Sequence, residues 1–345
     1  MVEVRKEGVL LEKTDIEFES EAVLNPAVIQ NGEGIHVFYR AVAPGNYSTI
    51  GYCRLKNPLE VEYRMTVPLI SREFGYESHG VEDPRIVKID GLYYLTYTAY
   101  DGVNAMGALA VSKDLKHFDK LGLIVPEMDF DMFSRLTSSH EAINDKYLRY
   151  NIHGGIHKEE GKKVLVWDKN LIFFPRRING NLFFLHRIRP DIQIVEVNEL
   201  EDLTQKFWEE YFLNLAGNIL ISPKYEHEVS YLGGGCPPIE TASGWLVIYH
   251  GVHDTIRGYV YSACASLLDL KNPRKEIARL PYPLFTPEYD WELEGEVNNV
   301  CFPTGAVVSE DTLYIYYGAA DEQIACASLS ISDLIHELKQ NLKDD

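Results

Sequence analysis

A chain of 345 residues that is 46% hydrophobic and 12% aromatic can bury a large core and is too apolar to remain disordered. Its formal net charge of −19 repels phosphate backbones and anionic membrane surfaces, so neither nucleic acid nor a membrane is an expected partner, whereas a neutral ligand such as a sugar suits the balance. Residues 1–7 lack the apolar core of a signal peptide and no apolar run is long enough to span a bilayer, which makes a cytoplasmic enzyme the simplest expectation.

Along the chain one pattern returns five times: a Pro-marked apolar run, a Gly or Asn turn, an aromatic strand, and a strand of small residues. The Pro-marked runs lie at 25–28, 83–87, 174–177, 237–239 and 302–307. The aromatic strands follow at 34–41, 91–99, 181–187, 244–251 and 312–319, and the small-residue strands at 50–53, 107–111, 192–195, 261–265 and 324–327. Recurring units that cannot bury their faces alone predict a radial array. The expected fold is all-β, a five-bladed β-propeller with short peripheral helices, in preference to a β-sandwich whose aromatic strands match by chance. The first strand of each blade would line the channel, so five distant stretches meet in one site.

One domain is expected over 1–345, with an insertion at about 124–163 that is a candidate lid or homo-oligomer contact and carries a short helix at 138–147 and a turn at 153–155. Leu200, Leu203, Phe207, Tyr211 and Leu215 have helical spacing and predict a helix outside the array. Leu334, Ile335, Leu338 and Leu342 predict another behind a Ser332 cap, placed to close the ring. Cys53, Cys236, Cys264, Cys301 and Cys326 show no C-x-x-C spacing and read as structural, reduced thiols.

The most pointed motif is Val81-Glu82-Asp83-Pro84-Arg85-Ile86. Two adjacent carboxylates followed by Pro and Arg fit an acid at the channel mouth, with Arg85 neutralising its neighbour so that the two acids keep different protonation states. They fit equally an Asp-Pro turn with a structural ion pair. With Tyr39-Arg40-Ala41, Tyr97 to Asp101, Phe174 to Gly180, His186-Arg187, Pro237-Pro238-Ile239, 244–252 and Tyr317 to Asp321, the motif resembles glycoside hydrolase family 130, the β-mannoside phosphorylases and related mannosidases.

That resemblance implies a five-bladed propeller, a mannose-containing oligosaccharide as partner, and Asp83 as the catalytic acid of an inverting reaction. In the family's phosphorylases the acid acts through a hydroxyl of the mannosyl ring and inorganic phosphate is the nucleophile. Thr49 and Glu240 stand where such enzymes tend to carry a phosphate-gripping Arg and a Lys, while Lys169 and Asn170 retain part of the pocket. Those two exchanges change the local charge by about three units if all groups are ionised. The expectation is therefore hydrolysis of β-mannosidic linkages, β-1,2 favoured, with Asp83 as acid and Glu240 as a base set back by roughly 6.5 to 9.5 Å to admit a water.

Three alternatives stay open at Glu240 and beyond: an ion pair with a nearby Arg or Lys, phosphorolysis around Lys169, Asn170, Arg187 and His250, and a non-catalytic carbohydrate-binding propeller. Glu228, Glu294 and Glu296 compete for the base role. Sugar recognition is assigned to Asn25, Arg40, Glu82, Arg85, Asp101, Lys169, Asn170, His186, Arg187, Tyr249, His250 and Asp321, whose planar donors, acceptors and aromatic faces suit a hydroxyl-rich ligand. His140, His153, His157, His186, His227, His250 and His253 show no recurrent ligand spacing, so no metal and no cofactor are expected.

Overall fold

The computed structural model describes residues 1–138, 143–147 and 163–342. Residues 139–142 of the helix expected at 138–147, the turn at 153–155, and His140, His153 and His157 lie outside the described residues. The chain forms a five-bladed β-propeller of antiparallel sheets. The first blade runs through Ala22–Asn31, Gly34–Ala43, Tyr47–Asn57 and Glu60–Arg64, the second through Gly80–Ile89, Leu92–Tyr100, Ala105–Ser112 and Asp119–Leu123. The third uses Lys169–Phe173, Leu182–Arg187, Ile192–Val197 and Ile219–Ile221. In the fourth the inner strand is split into Tyr231–Gly234 and Ile239–Thr241, followed by Gly244–Thr255, Gly258–Leu268 and Glu276–Arg279. The fifth comprises Cys301–Ser309, Thr312–Ala319, Gln323–Ser330 and, from the opposite end of the chain, Arg5–Leu11. The inner strand of the first blade packs against those of the second and the fifth, which closes the circle.

Closure is where the structure departs from expectation. The ring is sealed by Arg5–Leu11 pairing with Gln323–Ser330, and the helix Ile331–Gln340 only packs its buried Leu334 and Leu338 onto the outside. Its cap is Ser330, whose side chain accepts from the Asp333 amide; Ser332 instead donates to Asp311 at 2.9 Å. The helix Gln205–Leu213 forms where its spacing predicted, capped by Thr204 and burying Trp208, Tyr211 and Phe212. The insertion opens with a further helix, Phe130–Thr137, capped by Asp129. All five cysteines are buried and free. No helix among the described residues is long and apolar enough to cross a membrane.

A polar device recurs within the blades. In the first, the Tyr39 hydroxyl on the second strand donates to Glu19 (2.8 Å) from the turn before the inner strand, and Arg64 on the outermost strand closes on the same carboxylate at 2.9 Å. Tyr97, Glu77 and Lys120 repeat the triad in the second blade, Tyr249, Glu228 and Arg279 in the fourth, and Tyr317, Glu292 and Lys6 in the fifth. Each of these four carboxylates is fully buried, and a buried charge is tolerable only when paired and hydrogen-bonded. In the third blade His186 takes the Tyr position and Asp168 the carboxylate, at 2.8 Å, with Tyr211 on the other ring nitrogen at 2.7 Å.

Candidate active site

Every inner strand is interrupted at the same level. Ladder register slips between Leu24 and Ala27, Glu82 and Arg85, Lys169 and Ile172, and Pro303 and Gly305, and the fourth inner strand breaks after Gly234. Such bulges leave a residue unpaired and re-aim its side chain. In the first three blades that residue is left-handed: Asn25 (φ 49°), Asp83 (φ 48°) and Asn170 (φ 54°). Asn and Asp are the side chains that best tolerate this region, and Pro26 and Pro84 follow where no amide donor is needed. The Asn-Pro and Asp-Pro pairs of the sequence are therefore bulges that, with the one at Asn170, re-aim three polar side chains. Asn25 donates to Asp83 at 2.7 Å. Small residues make the room: a Cβ on Gly318 would sit 2.1 Å from Asn25 Oδ1, and one on Gly233 would meet the His250 ring at 2.3 Å.

Around Asp83 the charges are divided differently from the expected scheme. Arg40, not Arg85, neutralises Glu82 (2.9 Å), and it approaches Asp83 at 3.8 Å while donating to Ser48. Arg85 is buried and spends its guanidinium on backbone, donating to the carbonyls of Asp83 and Pro84 at 2.9 Å each and to that of Gly235. It thus clamps the bulge that aims Asp83, and burial pushes it down to about 10. Burial by itself would raise the Asp83 carboxyl, but Lys169, Arg40, the Asn25 hydrogen bond and Arg85 outweigh it and hold Asp83 below its ordinary value. Asp321 moves the other way, pushed up to about 6 by burial, with Asp83 and Glu82 adding to the rise against Arg40 and Lys169. The two carboxyls in one field therefore shift in opposite directions, Asp83 held toward its ionised form and Asp321 toward its protonated form.

Lys169 and Arg187 face each other in register across the third blade. Among the described residues no carboxylate forms an ion pair with either: the Lys169 ammonium lies over the Trp167 ring at 5.8 Å, the Arg187 guanidinium lies over Tyr231 at 5.5 Å, and its buried Nε has no partner. Burial lowers both, Arg187 to about 10. Beside them His250 is buried with both ring nitrogens unpartnered, 4.3 Å from the Phe302 ring, and burial followed by Arg187, Arg85, Arg189 and Lys169 holds it neutral.

Four predicted site residues are not in this pocket. Glu240 pairs in register with Trp245, at the start of the strand Gly244–Thr255, which carries His250 opposite Gly233 midway along it; that separation is about 17 Å along the strand. There Glu240 is exposed and gripped by both guanidinium arms of Arg176, at 2.6 and 2.7 Å, which holds its carboxyl down. It cannot serve Asp83 as a base, and it takes no charge from the pocket. His186 and Tyr249 belong to the triads within the blades, because adjacent residues of a strand point to opposite faces and their neighbours Arg187 and His250 take the channel side. Asp101 accepts from the amides of Val103 and Asn104 (2.8 and 2.7 Å) and shapes the turn after the second strand. Of the rival bases, Glu228 is locked in its triad and Glu294 and Glu296 are exposed. Ligand atoms of His227, Glu228 and Cys264 come within 4.8 Å of one another, but Glu228 is already taken by Tyr249, Arg279 and the amides of Lys224 and Tyr225.

Sequence reading missed Tyr231, Tyr261 and Phe302. They form an aromatic wall beside Arg187 and His250, with the Tyr231 and Tyr261 hydroxyls 2.5 Å apart. Register could have found Tyr261, which lies opposite Val252 two residues past His250.

A family model described as β-1,4-mannooligosaccharide phosphorylase matches residues 5–340. The chain belongs to glycoside hydrolase family 130. Among family 130 relatives, a 1,2-β-oligomannan phosphorylase of Thermoanaerobacter sp. (strain X514) is 34% identical over 336 residues, covering 94% of this chain and 96% of the relative. A β-1,2-mannobiose phosphorylase of the same organism is 34% identical over 328 residues, covering 90% and 91%. The solved β-1,2-mannobiose phosphorylase from Listeria innocua, in complex with β-1,2-mannobiose, superposes with a TM-score of 0.73 at 21% identity over 98% of this chain and 99% of that one, a likeness of fold.

Proposed function

We propose that residues 1–345 act as one catalytic propeller, a phosphate-dependent β-mannoside phosphorylase that takes β-1,2-linked manno-oligosaccharides and releases mannose 1-phosphate. The observation that carries this reading is the pair Lys169 and Arg187, two cations facing each other beside Asp83, neither of them in an ion pair with a carboxylate among the described residues. Two cations that share the field of one carboxylate are under-compensated, and a ligand anion between them reduces that cost. The names of the two relatives at 34% identity support the same reaction and linkage. The hydrolytic alternative loses its base, since Glu240 is spent on Arg176 at the far end of the blade. Five buried free thiols fit a reducing compartment such as the cytoplasm.

Phosphate would lie against Lys169 and Arg187, with His250 as a neutral partner. Asn25, Asn170, Arg40 and Asp321 offer donors and acceptors to mannosyl hydroxyls. Asp83 supplies the proton to the leaving oxygen while phosphate attacks the anomeric carbon from the opposite face. Phosphate binding also prepares the acid: a dianion beside Lys169 offsets the cation that most lowers Asp83, so the carboxyl rises toward the range in which it holds a proton.

Product analysis with β-1,2-mannobiose tests the reading. Mannose 1-phosphate is expected with phosphate and no turnover without it; free mannose released at the same rate in phosphate-free buffer overturns it. Lys169→Ala should raise KM for phosphate by more than about tenfold, the effect of losing one charge-assisted hydrogen bond worth roughly 1.5 to 3 kcal/mol.

A further inference from the structure

Around the mouth of the channel, on the side of the first three blades, four rings form a continuous arc. Tyr47 and His79 have ring centroids 4.8 Å apart, His79 and Tyr100 5.8 Å, and Tyr100 and Trp167 6.4 Å. Three of them stand close in sequence to residues of the pocket, and Tyr100 ends the strand paired with the one that carries Asp83. Tyr47 precedes Ser48, the hydrogen-bond partner of Arg40; His79 precedes the strand that carries Glu82 and Asp83; Trp167 lies two residues before Lys169 and under its ammonium. The rings are seated by polar partners: the Trp167 indole donates to Val103 O at 3.0 Å and the Tyr100 hydroxyl to Gly102 O at 2.8 Å. Arg72 lies 4.3 Å from the Tyr47 ring. Yet Trp167 remains 41% exposed and Tyr47 38%. Large, fixed and exposed aromatic surface contiguous with a pocket marks a binding surface.

We infer that this arc is a subsite for the manno-oligosaccharide beyond the sugar held at Asp83, with the exposed face of Trp167 as its stacking platform. It rests on the mannoside reading above and extends it to chain length. A sugar chain offers apolar C–H faces to the rings and hydroxyl edges to Arg72, His79 and the Tyr47 hydroxyl, so the arc matches both of its chemistries. Rings already fixed in place lose little entropy on binding, which is why a shallow surface can still add affinity. The arc favours longer chains over the disaccharide.

Calorimetric titration of Asp83→Asn protein with β-1,2-mannobiose and with β-1,2-mannotetraose tests this without needing turnover. Adding Trp167→Ala should weaken the tetraose by on the order of tenfold, the scale of one aromatic contact, and the disaccharide by less than about twofold. Tyr47→Ala should show the same selectivity, and Trp167→Phe, which keeps an aromatic face under Lys169, should retain most of the tetraose affinity. Equal loss for both sugars, or no loss for either, overturns the subsite. Trp167→Ala that converts a dimer to a monomer in sedimentation while leaving tetraose binding intact also overturns it and makes the arc a contact between copies. Failure of phosphate dependence in the wild-type enzyme would leave this titration unaffected, so the two readings fail separately.

Discussion

Asp83 and Glu240 show how little a residue's chemistry says without its place along a strand. Both are acids near a Pro, yet one is turned into the channel by a left-handed bulge and the other lies on the opposite rim under Arg176. Asp83→Asn should lower kcat by about 10²- to 10⁴-fold, the range for loss of a general acid, with little change in phosphate KM. Glu240→Gln should leave kcat/KM within about twofold, read in the same phosphorolysis assay. Asp321 gives a pH signature. Its carboxyl rises from the ordinary 3.8 to about 6 in the folded protein, so folding favours the protonated form; the stability associated with that proton is present below the unfolded value and lost as pH rises through about 6. The full shift corresponds to roughly 3 kcal/mol as an upper bound. Asp321→Asn should therefore melt higher than the parent at pH 7 and equally below pH 3.8, as thermal melts across that range would show.

At the scale of the element, the bulged inner strand is the unit that builds the pocket, and it explains which positions could be read in advance. Asn25-Pro26 and Asp83-Pro84 announce the bulge because Pro tolerates the missing ladder bond, and Asn25, Asp83 and Asn170 are the left-handed residues at the register slips. In the fourth blade the Pro-Pro pair forms the far side of a four-residue break at 235–238, so Glu240, beyond it, belongs to the second half of the strand. Tyr249 and His186 were misassigned because two-residue alternation lets only one of each neighbouring pair face the channel. The triads went unread because Glu77, Tyr97 and Lys120 are brought together by three separate segments of one blade, although each triad Glu of the second, fourth and fifth blades ends a recurring aromatic-x-x-Glu turn. Lys120→Met should strand the fully buried Glu77 charge and cost about 3 to 5 kcal/mol, seen as a lower denaturant midpoint.

For the whole molecule, repetition made the five blades legible, but closure was not, because Arg5–Leu11 lacks the alternating aromatic pattern of the other strands. That strand does two jobs in the fifth blade, pairing with Gln323–Ser330 and delivering Lys6 to Glu292. Removing Arg5–Leu11 should expose the edge of the fifth sheet and uncouple it from the rest, giving early proteolytic cleavage within 301–340 and a broadened melt. Wild-type protein with the strand present should resist cleavage there under the same conditions.

Ring closure through this strand also imposes an order on synthesis. Glu7 leaves the ribosome long before its hydrogen-bonding partner Ser328, which lies 321 residues downstream. Made before every other strand of the propeller, Arg5–Leu11 is among the last to find its neighbour, and a nascent chain truncated before the final hairpin carries an unmatched β-edge that invites pairing with other chains.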